Sequence, residues 1–191
     1  MTRAIARARR AAWALAEKAS SPGDVTAKNP LVIDLDATLI TVHREKEQAG
    51  PTFKRGYGNY PLCAFLDHGH AATGEPLAIQ LRPGNAGSNT AADHIAVTSD
   101  ALAQLPKDLL GRGGRGSRKI LIRTDGAGGT KDLLEWLTGM RLAYSVVFSL
   151  PANTSDLLAR IDEADAWTPA YDSDDGVGGM VTTGWGHGSR N

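Results

Sequence analysis

Two apolar runs in this chain each end in a carboxylate. One is Leu31-Val32-Ile33-Asp34-Leu35-Asp36-Ala37-Thr38-Leu39, the other Lys119-Ile120-Leu121-Ile122-Arg123-Thr124-Asp125. Runs as rich in Leu, Ile and Val as these read as buried strands. A buried strand has no packing use for an aspartate, so the carboxylate at its end must be solvated, paired or bound to a metal. Two such acids on separate strands point to a site that holds a divalent cation. The competing reading is that each Asp merely begins a turn or caps the next helix.

A chain of 191 residues fits one α/β domain, with or without loose ends. Its formal charge is zero, yet its arginines are clustered. Arg3, Arg7, Arg9 and Arg10 crowd the N-terminus, and Arg112, Arg115, Arg118 and Lys119 crowd a glycine-rich stretch. Either cluster has the electrostatic footprint of nucleic-acid binding; a solvated helix face and a flexible loop are the plainer alternatives. Cys63 is the only cysteine, which excludes a disulfide framework and fits a reducing compartment. No apolar stretch reaches the roughly 18 residues that span a bilayer, and no apolar signal-peptide core is present. The expectation is a soluble, cytoplasmic protein without a membrane partner.

Periodicity and turn residues divide the chain. An Ala- and Arg-rich helix covers 2–19 and stops at Ser20-Ser21-Pro22-Gly23-Asp24. Strand one follows at 31–41, then a polar stretch from His43 to Asn59 that reads as a loop or irregular hairpin arm. Residues 61–66 and 77–81 form an antiparallel hairpin. A helix starts near Thr90, with Thr90 and Asp93 spaced as a capping pair, and runs to Pro106. Strand four covers 119–124, a helix 130–138, and strand five 144–150. This β-β-β-α-β-α-β order permits crossover helices to place strand four beside strand one, both parallel. Asp36 and Asp125 then become neighbours at one sheet edge, where their oxygens would share Mg2+ or Mn2+.

The order, with acids on strands one and four, resembles the ribonuclease-H-like catalytic core of DDE transposases. Ile33-Asp34-Leu35-Asp36-Ala37-Thr38, Gly56-Tyr57-Gly58-Asn59-Tyr60-Pro61-Leu62, Leu81-Arg82-Pro83-Gly84-Asn85 and Ile122-Arg123-Thr124-Asp125-Gly126 are similar to phrases of bacterial insertion-sequence transposases of the IS1380 group, which is related to IS4-type enzymes. The similarity spans about residues 30–172. It implies that Asp36 and Asp125 are the first two catalytic, metal-binding acids, with Mg2+ (or Mn2+) as cofactor. It also implies metal-dependent strand cleavage and transfer on DNA, at insertion-sequence ends and target DNA, by an enzyme acting as a homodimer at the nucleoid. Asp34 shares a face with Asp36 but sits deeper, which makes it a supporting residue rather than a ligand.

The family's third acid, a glutamate on a helix beyond strand five, has no clear counterpart. Glu163 lies in Ser155-Asp156-Leu157-Leu158-Ala159-Arg160-Ile161-Asp162-Glu163, a short helix without the Tyr and Arg neighbours that the resemblance calls for. After Asp172 the composition shifts to glycine, as expected of a disordered tail. The organisation expected is therefore a basic N-terminal helix and linker (1–29), a partial DDE catalytic domain (30–172) and a Gly-rich tail (173–191). Such a chain reads as a truncated or frame-shifted transposase whose activity is compromised.

Two rivals stand beside this reading. Asp34-Leu35-Asp36-Ala37-Thr38-Leu39 also resembles the opening motif of haloacid-dehalogenase-like phosphatases. That resemblance implies Asp34 as nucleophile, Asp36 as general acid/base, and Thr124, Lys131 and Asp174-Asp175 as further members. Against it, strand one should lead directly into a helix, and the acidic pair should end an apolar strand. The other rival is a non-catalytic DNA-binding remnant held by arginine patches alone. Cys63, His68 and His70 are loosely spaced for zinc and read as hairpin and turn residues. His43 and His94 show no partner in sequence. Gly111–Gly116 lacks the Gly-Lys-Ser/Thr ending of a phosphate-binding loop. Gly84, Gly87 and Asn89 shape the turn before a helix, where a backbone–phosphate contact is an alternative use. Trp13, Trp136 and Trp167 read as packing residues.

Overall fold

Along strand β1 (Leu31–Ala37) burial alternates: Leu31, Ile33 and Leu35 are buried, Val32 and Asp34 half-buried, and Asp36 exposed. The apolar run is thus covered on one face only, and its acids share the other face. In the computed structural model residues 2–15, 25–44, 46–69, 74–87, 90–111, 116–160, 167–168 and 185–186 are described. They fall into two compact units, divided between Phe148 and Ser149.

The first unit is a mixed α/β structure. Helix α1 (Thr2–Leu15) precedes β1; β2 (Ile40–Thr41), β3 (Gly50–Pro51) and β4 (Tyr57–Asn59) follow it, then β5 (Leu62–Asp67) and β6 (Glu75–Gln80). Helix α2 (Ala91–Gln104), β7 (Ile120–Thr124), helix α3 (Lys131–Gly139) and β8 (Ala143–Val146) complete it. The main sheet has five strands in the order β6-β5-β1-β7-β8. β5 and β6 pair antiparallel; β1 is antiparallel to β5 and parallel to β7, which is parallel to β8. The fourth long strand therefore does lie beside the first, as the crossover argument requires.

One sheet face packs on α2 and α3. Ile33, Leu66, Ile122, Leu133 and Leu137 are fully buried there, joined by Val97, Ala101 and Ile120. Burying each large aliphatic contributes about 1.5–3 kcal/mol. Trp13 and Trp136 are half-buried against this core. α1 is tied to the sheet by polar contacts: buried Arg9 is ion-paired with Glu75 and donates to Gln104 Oε1 (3.1 Å) and the Pro76 carbonyl (2.7 Å). Trp13 Nε1 donates to Glu75 Oε2 at 3.1 Å. Of the N-terminal arginines expected to face phosphates, Arg9 is thus committed to structure, while Arg7 and Arg10 are exposed.

Several expected boundaries are corrected. Strand one ends at Ala37 rather than 41, because its partner β5 is preceded by Pro61, which has no N–H to extend the ladder. Thr38 N donates to the Pro61 carbonyl (3.1 Å), and the chain turns into β2. The polar stretch 43–59 contains β3 and β4, which with β2 make a second sheet of three short strands, β2-β4-β3. Strand five ends at Val146, not 150, because its neighbour β7 gives way to a 3-10 turn (Gly126–Gly128). Thr90 and Asp93 do not form a capping pair. Asp93 accepts from Gln80 Nε2 (3.1 Å) and from Arg82 Nη1 (3.2 Å), a buried cation that outcompetes a backbone N–H.

The second unit contains helix α4 (Thr154–Leu158) and an antiparallel pair, β9 (Trp167–Thr168) with β10 (Trp185–Gly186). The Gly-rich stretch expected to be a disordered tail lies outside the described residues apart from β10.

Candidate metal centre

The β1–β7 register pairs Asp34 with Arg123 and Leu35 with Thr124. One step further along both parallel strands come Asp36 and Asp125, at the carboxyl end of the ladder. Both line the same open cavity, of about 620 Å³, together with Asp34 and Arg123; Phe65 and Val147 form its apolar walls. The two acids singled out in sequence, 89 residues apart, therefore face one volume.

Arg123 organises this face. Its Nε donates to Asp34 Oδ1 at 2.5 Å and its Nη2 to Asp34 Oδ2 at 2.7 Å, a bidentate pair. Nη2 also donates to Asp67 Oδ2 at 2.9 Å, so one guanidinium bridges β7, β1 and β5. The hydrogen bonds from Arg123 to Asp34 are the chief cause holding its own pKa above the ordinary arginine value. Asp67 is held below the usual carboxylate range, first by the Gly69 backbone N–H at 2.8 Å and then by Arg123. The guanidinium is half-exposed, so the clamp adds no more than about 1 kcal/mol of stability. Its larger effect is that both Asp34 oxygens are occupied.

Asp36 has no side-chain hydrogen bond or ion pair among the described residues. Asp125 Oδ1 accepts from Ala127 N at 2.9 Å and caps the 3-10 turn. The turn-starting reading is therefore true of Asp125, and it engages only one of that residue's two oxygens. Four carboxylates (Asp34, Asp36, Asp67 and Asp125) meet one guanidinium on this face, leaving three formal negative charges. Among the described residues no group of three or more His, Cys, Asp or Glu is placed to hold a metal ion. The available donors are thus Asp36 and the second oxygen of Asp125. Two hard oxygen groups beside open solvent fit Mg2+ or Mn2+, which are commonly held by one or two carboxylates plus water and substrate phosphate.

The other sequence candidates separate clearly. Cys63 lies across the ladder from Asp36 and is buried; burial, then the Asp36 charge, pushes its thiol pKa up, so it is a poor ligand and nucleophile. His68 Nε2 sits 3.0 Å from Glu75 Oε2, joining the α1 anchor rather than a zinc site. His94 is fully buried, its Nδ1 3.0 Å from the Thr90 carbonyl oxygen, and His43 is exposed. His70, Asn89, Arg112, Arg115, Glu163, Asp174 and Asp175 lie outside the described residues. The haloacid-dehalogenase alternative finds no support: its nucleophile Asp34 is occupied by Arg123, β1 leads into a small sheet rather than a helix, and Lys131 is exposed beside Glu135 (3.6 Å). Sequence reasoning missed Asp67 and Arg123 as a pair. Asp67 ends the apolar run 62–66 as Asp125 ends its own, so the same rule would have flagged it.

Fold and site together define a mixed α/β domain with an acidic cleft at the carboxyl end of two parallel strands. A family model for the transposase DDE domain, group 1, matches residues 1–177, and the chain belongs to that family. Membership places it among proteins of DNA transposition, whose domains carry nuclease and transferase chemistry, act on DNA and generally use divalent metal ions. No curated protein matches the chain. No helix among the described residues is long and apolar enough to cross a membrane.

Proposed function

We propose that this chain carries the ribonuclease-H-like catalytic core of an insertion-sequence transposase of the IS1380 group. In this reading Asp36 and Asp125 hold Mg2+ or Mn2+ for DNA strand cleavage and transfer at the element's ends. A homodimer acting on nucleoid DNA is part of the proposal. The observation that carries it is the meeting of Asp36 and Asp125 in one cleft while Asp34 is occupied by Arg123.

The chain's own residues have separate tasks. Asp36 presents an unengaged carboxylate at the strand end, and Asp125 one oxygen, its other being fixed by the Ala127 N–H. That fixed oxygen orients the carboxylate plane, so the free oxygen is held ready rather than searching rotamers. Arg123 keeps Asp34 and Asp67 from competing for the cation and offsets part of the negative charge that opposes an incoming phosphodiester. Phe65 and Val147 wall the cleft with apolar surface, leaving the carboxylates as its charged groups beside Arg123. When bound, the divalent cation supplies Lewis-acid polarisation of the scissile phosphate and a lowered pKa for the attacking water or 3′-hydroxyl.

Titration of the purified protein with Mn2+ tests this. Binding should be lost in both Asp36→Asn and Asp125→Asn and only weakened in Asp34→Asn. Unchanged binding in the first two variants overturns the assignment. Dependence on Asp34 with indifference to Asp125 would return the phosphatase reading to contention.

A further inference from the structure

The small β2-β4-β3 sheet grows from the end of β1 that carries Asp36, with Ile40 paired to Asn59 and Thr41 to Gly58. Its β3–β4 connection, residues 52–56, is a tight hairpin closed by Thr52 N to the Gly56 carbonyl (2.9 Å) and Arg55 N to the Thr52 carbonyl (3.0 Å). Phe53 at its tip is 65% exposed. Lys54 Nζ lies 5.8 Å from the Phe53 ring centre, within cation–π range. Arg55 is exposed and adopts φ +60°, a left-handed conformation that glycine takes without cost and a bulky side chain does not. Arg44 and Lys46 are exposed on the same sheet's β2–β3 connection, and among the described residues none of these four cations has an ion pair.

The arm is held firmly. Phe53 packs edge-on against Tyr60 (5.5 Å between centroids), and Tyr60 lies under the Arg82 guanidinium at 5.1 Å. Arg82, 3% exposed, donates to the Tyr60 carbonyl (3.0 Å) and to Asp93 of α2. The arm is thus anchored through Phe53 and carries two exposed cations, Lys54 and Arg55, at its tip, the latter in a left-handed conformation. By strand lengths at about 3.3 Å per residue, its tip lies within about 35 Å of Asp36, roughly one turn of B-form DNA.

We propose that the 52–56 hairpin is a DNA-backbone contact arm, in which Lys54 and Arg55 meet phosphates of the duplex whose scissile bond lies at the Asp36–Asp125 cleft. This rests on the transposase reading and deepens it by locating a substrate surface.

The test is binding of the full chain to a labelled duplex of arbitrary sequence across a salt series, without divalent metal. Arg55→Gly, and Lys54→Gln with Arg55→Gly, should weaken binding by about tenfold at moderate salt. The double variant should flatten the log–log salt slope by about two, close to one per lost phosphate contact. The thermal midpoint of Arg55→Gly should equal or exceed wild type, because glycine relieves the strain; a merely structural Arg55 gives no change in DNA binding. Wild-type affinity and slope in these variants overturn the arm while leaving the transposase reading intact. Failure of the wild-type chain itself to bind the duplex overturns both, and Mn2+ titration of the cleft then reports separately on the metal centre.

Discussion

Arg123 and Asp34 face each other across the parallel β1–β7 ladder and share two hydrogen bonds, of 2.5 and 2.7 Å. Two residues further along both strands, past Leu35 and Thr124, come Asp36 and Asp125. One level of this sheet face is thus closed by an ion pair, and the level two residues on is left open to solvent and a ligand. Removing the guanidinium tests this division of labour. Arg123→Met should tighten Mn2+ binding about fivefold, because it deletes a nearby positive charge and releases Asp34, with at most about 1 kcal/mol lost in stability. Weaker Mn2+ binding in this variant would show instead that the clamp is needed to shape the metal centre.

Asp125 combines a cap with a free oxygen, and the two roles separate by substitution. Asp125→Asn keeps an oxygen for the Ala127 N–H and should unfold within a few tenths of a kcal/mol of wild type while losing Mn2+. Asp125→Ala should lose Mn2+ and also about 1 kcal/mol in denaturant unfolding, the usual value of a cap. Equal stabilities for the two variants would remove the cap from the account.

Glu75 anchors α1 to β6 and should impose acid sensitivity. Burial pushes its pKa up, but hydrogen bonds from Arg9, His68 and Trp13 outweigh this and hold it below the ordinary carboxylate value. A depressed folded-state pKa gives stability that is present above the unfolded value, about 4.3, and is lost as pH falls through the folded value. Thermal midpoints of wild type should therefore drop more steeply below about pH 4.3 than those of Glu75→Gln. At neutral pH Glu75→Gln should cost about 1.5–3 kcal/mol, since it leaves buried Arg9 without its counter-charge.

Gly58 and Gly84 lock the small sheet to the turn before α2. A Cβ on Gly58 would lie 1.9 Å from the Ile40 carbonyl oxygen, and one on Gly84 would lie 2.5 Å from the Gly58 carbonyl oxygen. Both contacts are with backbone, which cannot rotate away. Gly58→Ala should cost about 1–3 kcal/mol in denaturant unfolding by displacing β2 from β4. A variant as stable as wild type would mean that this contact is looser than its geometry.

Much of the main sheet was legible because strands of four to seven residues leave a readable pattern of apolar positions. The pairing of β1 with β7 followed from general rules of chain connection. The short strands β2, β3 and β4, of two or three residues, fall below the length at which any period shows, and 43–59 read as a loop for that reason. The capping of α2 was misread because Thr90 and Asp93 have the right spacing, while the buried Arg82 that claims Asp93 is set by packing. Arg9 was one arginine among several in an N-terminal cluster, and only its position opposite Glu75 distinguishes it.

What the sequence by itself determined is local chemistry: which runs become strands, that the runs at 31–36 and 119–125 carry an acid at their ends, and that one glycine-bearing phrase precedes β5 and another α2. Tertiary structure alone decided which acids remain available. Asp34 and Asp36 are two residues apart on one strand and chemically identical, yet Arg123 takes both oxygens of the first and none of the second. The difference is a displacement of two residues along one strand face, which puts Asp34 and not Asp36 opposite Arg123. Register is fixed by the buried side chains Ile33, Leu35, Ile120 and Ile122, because slipping by one residue would turn them all out of the core.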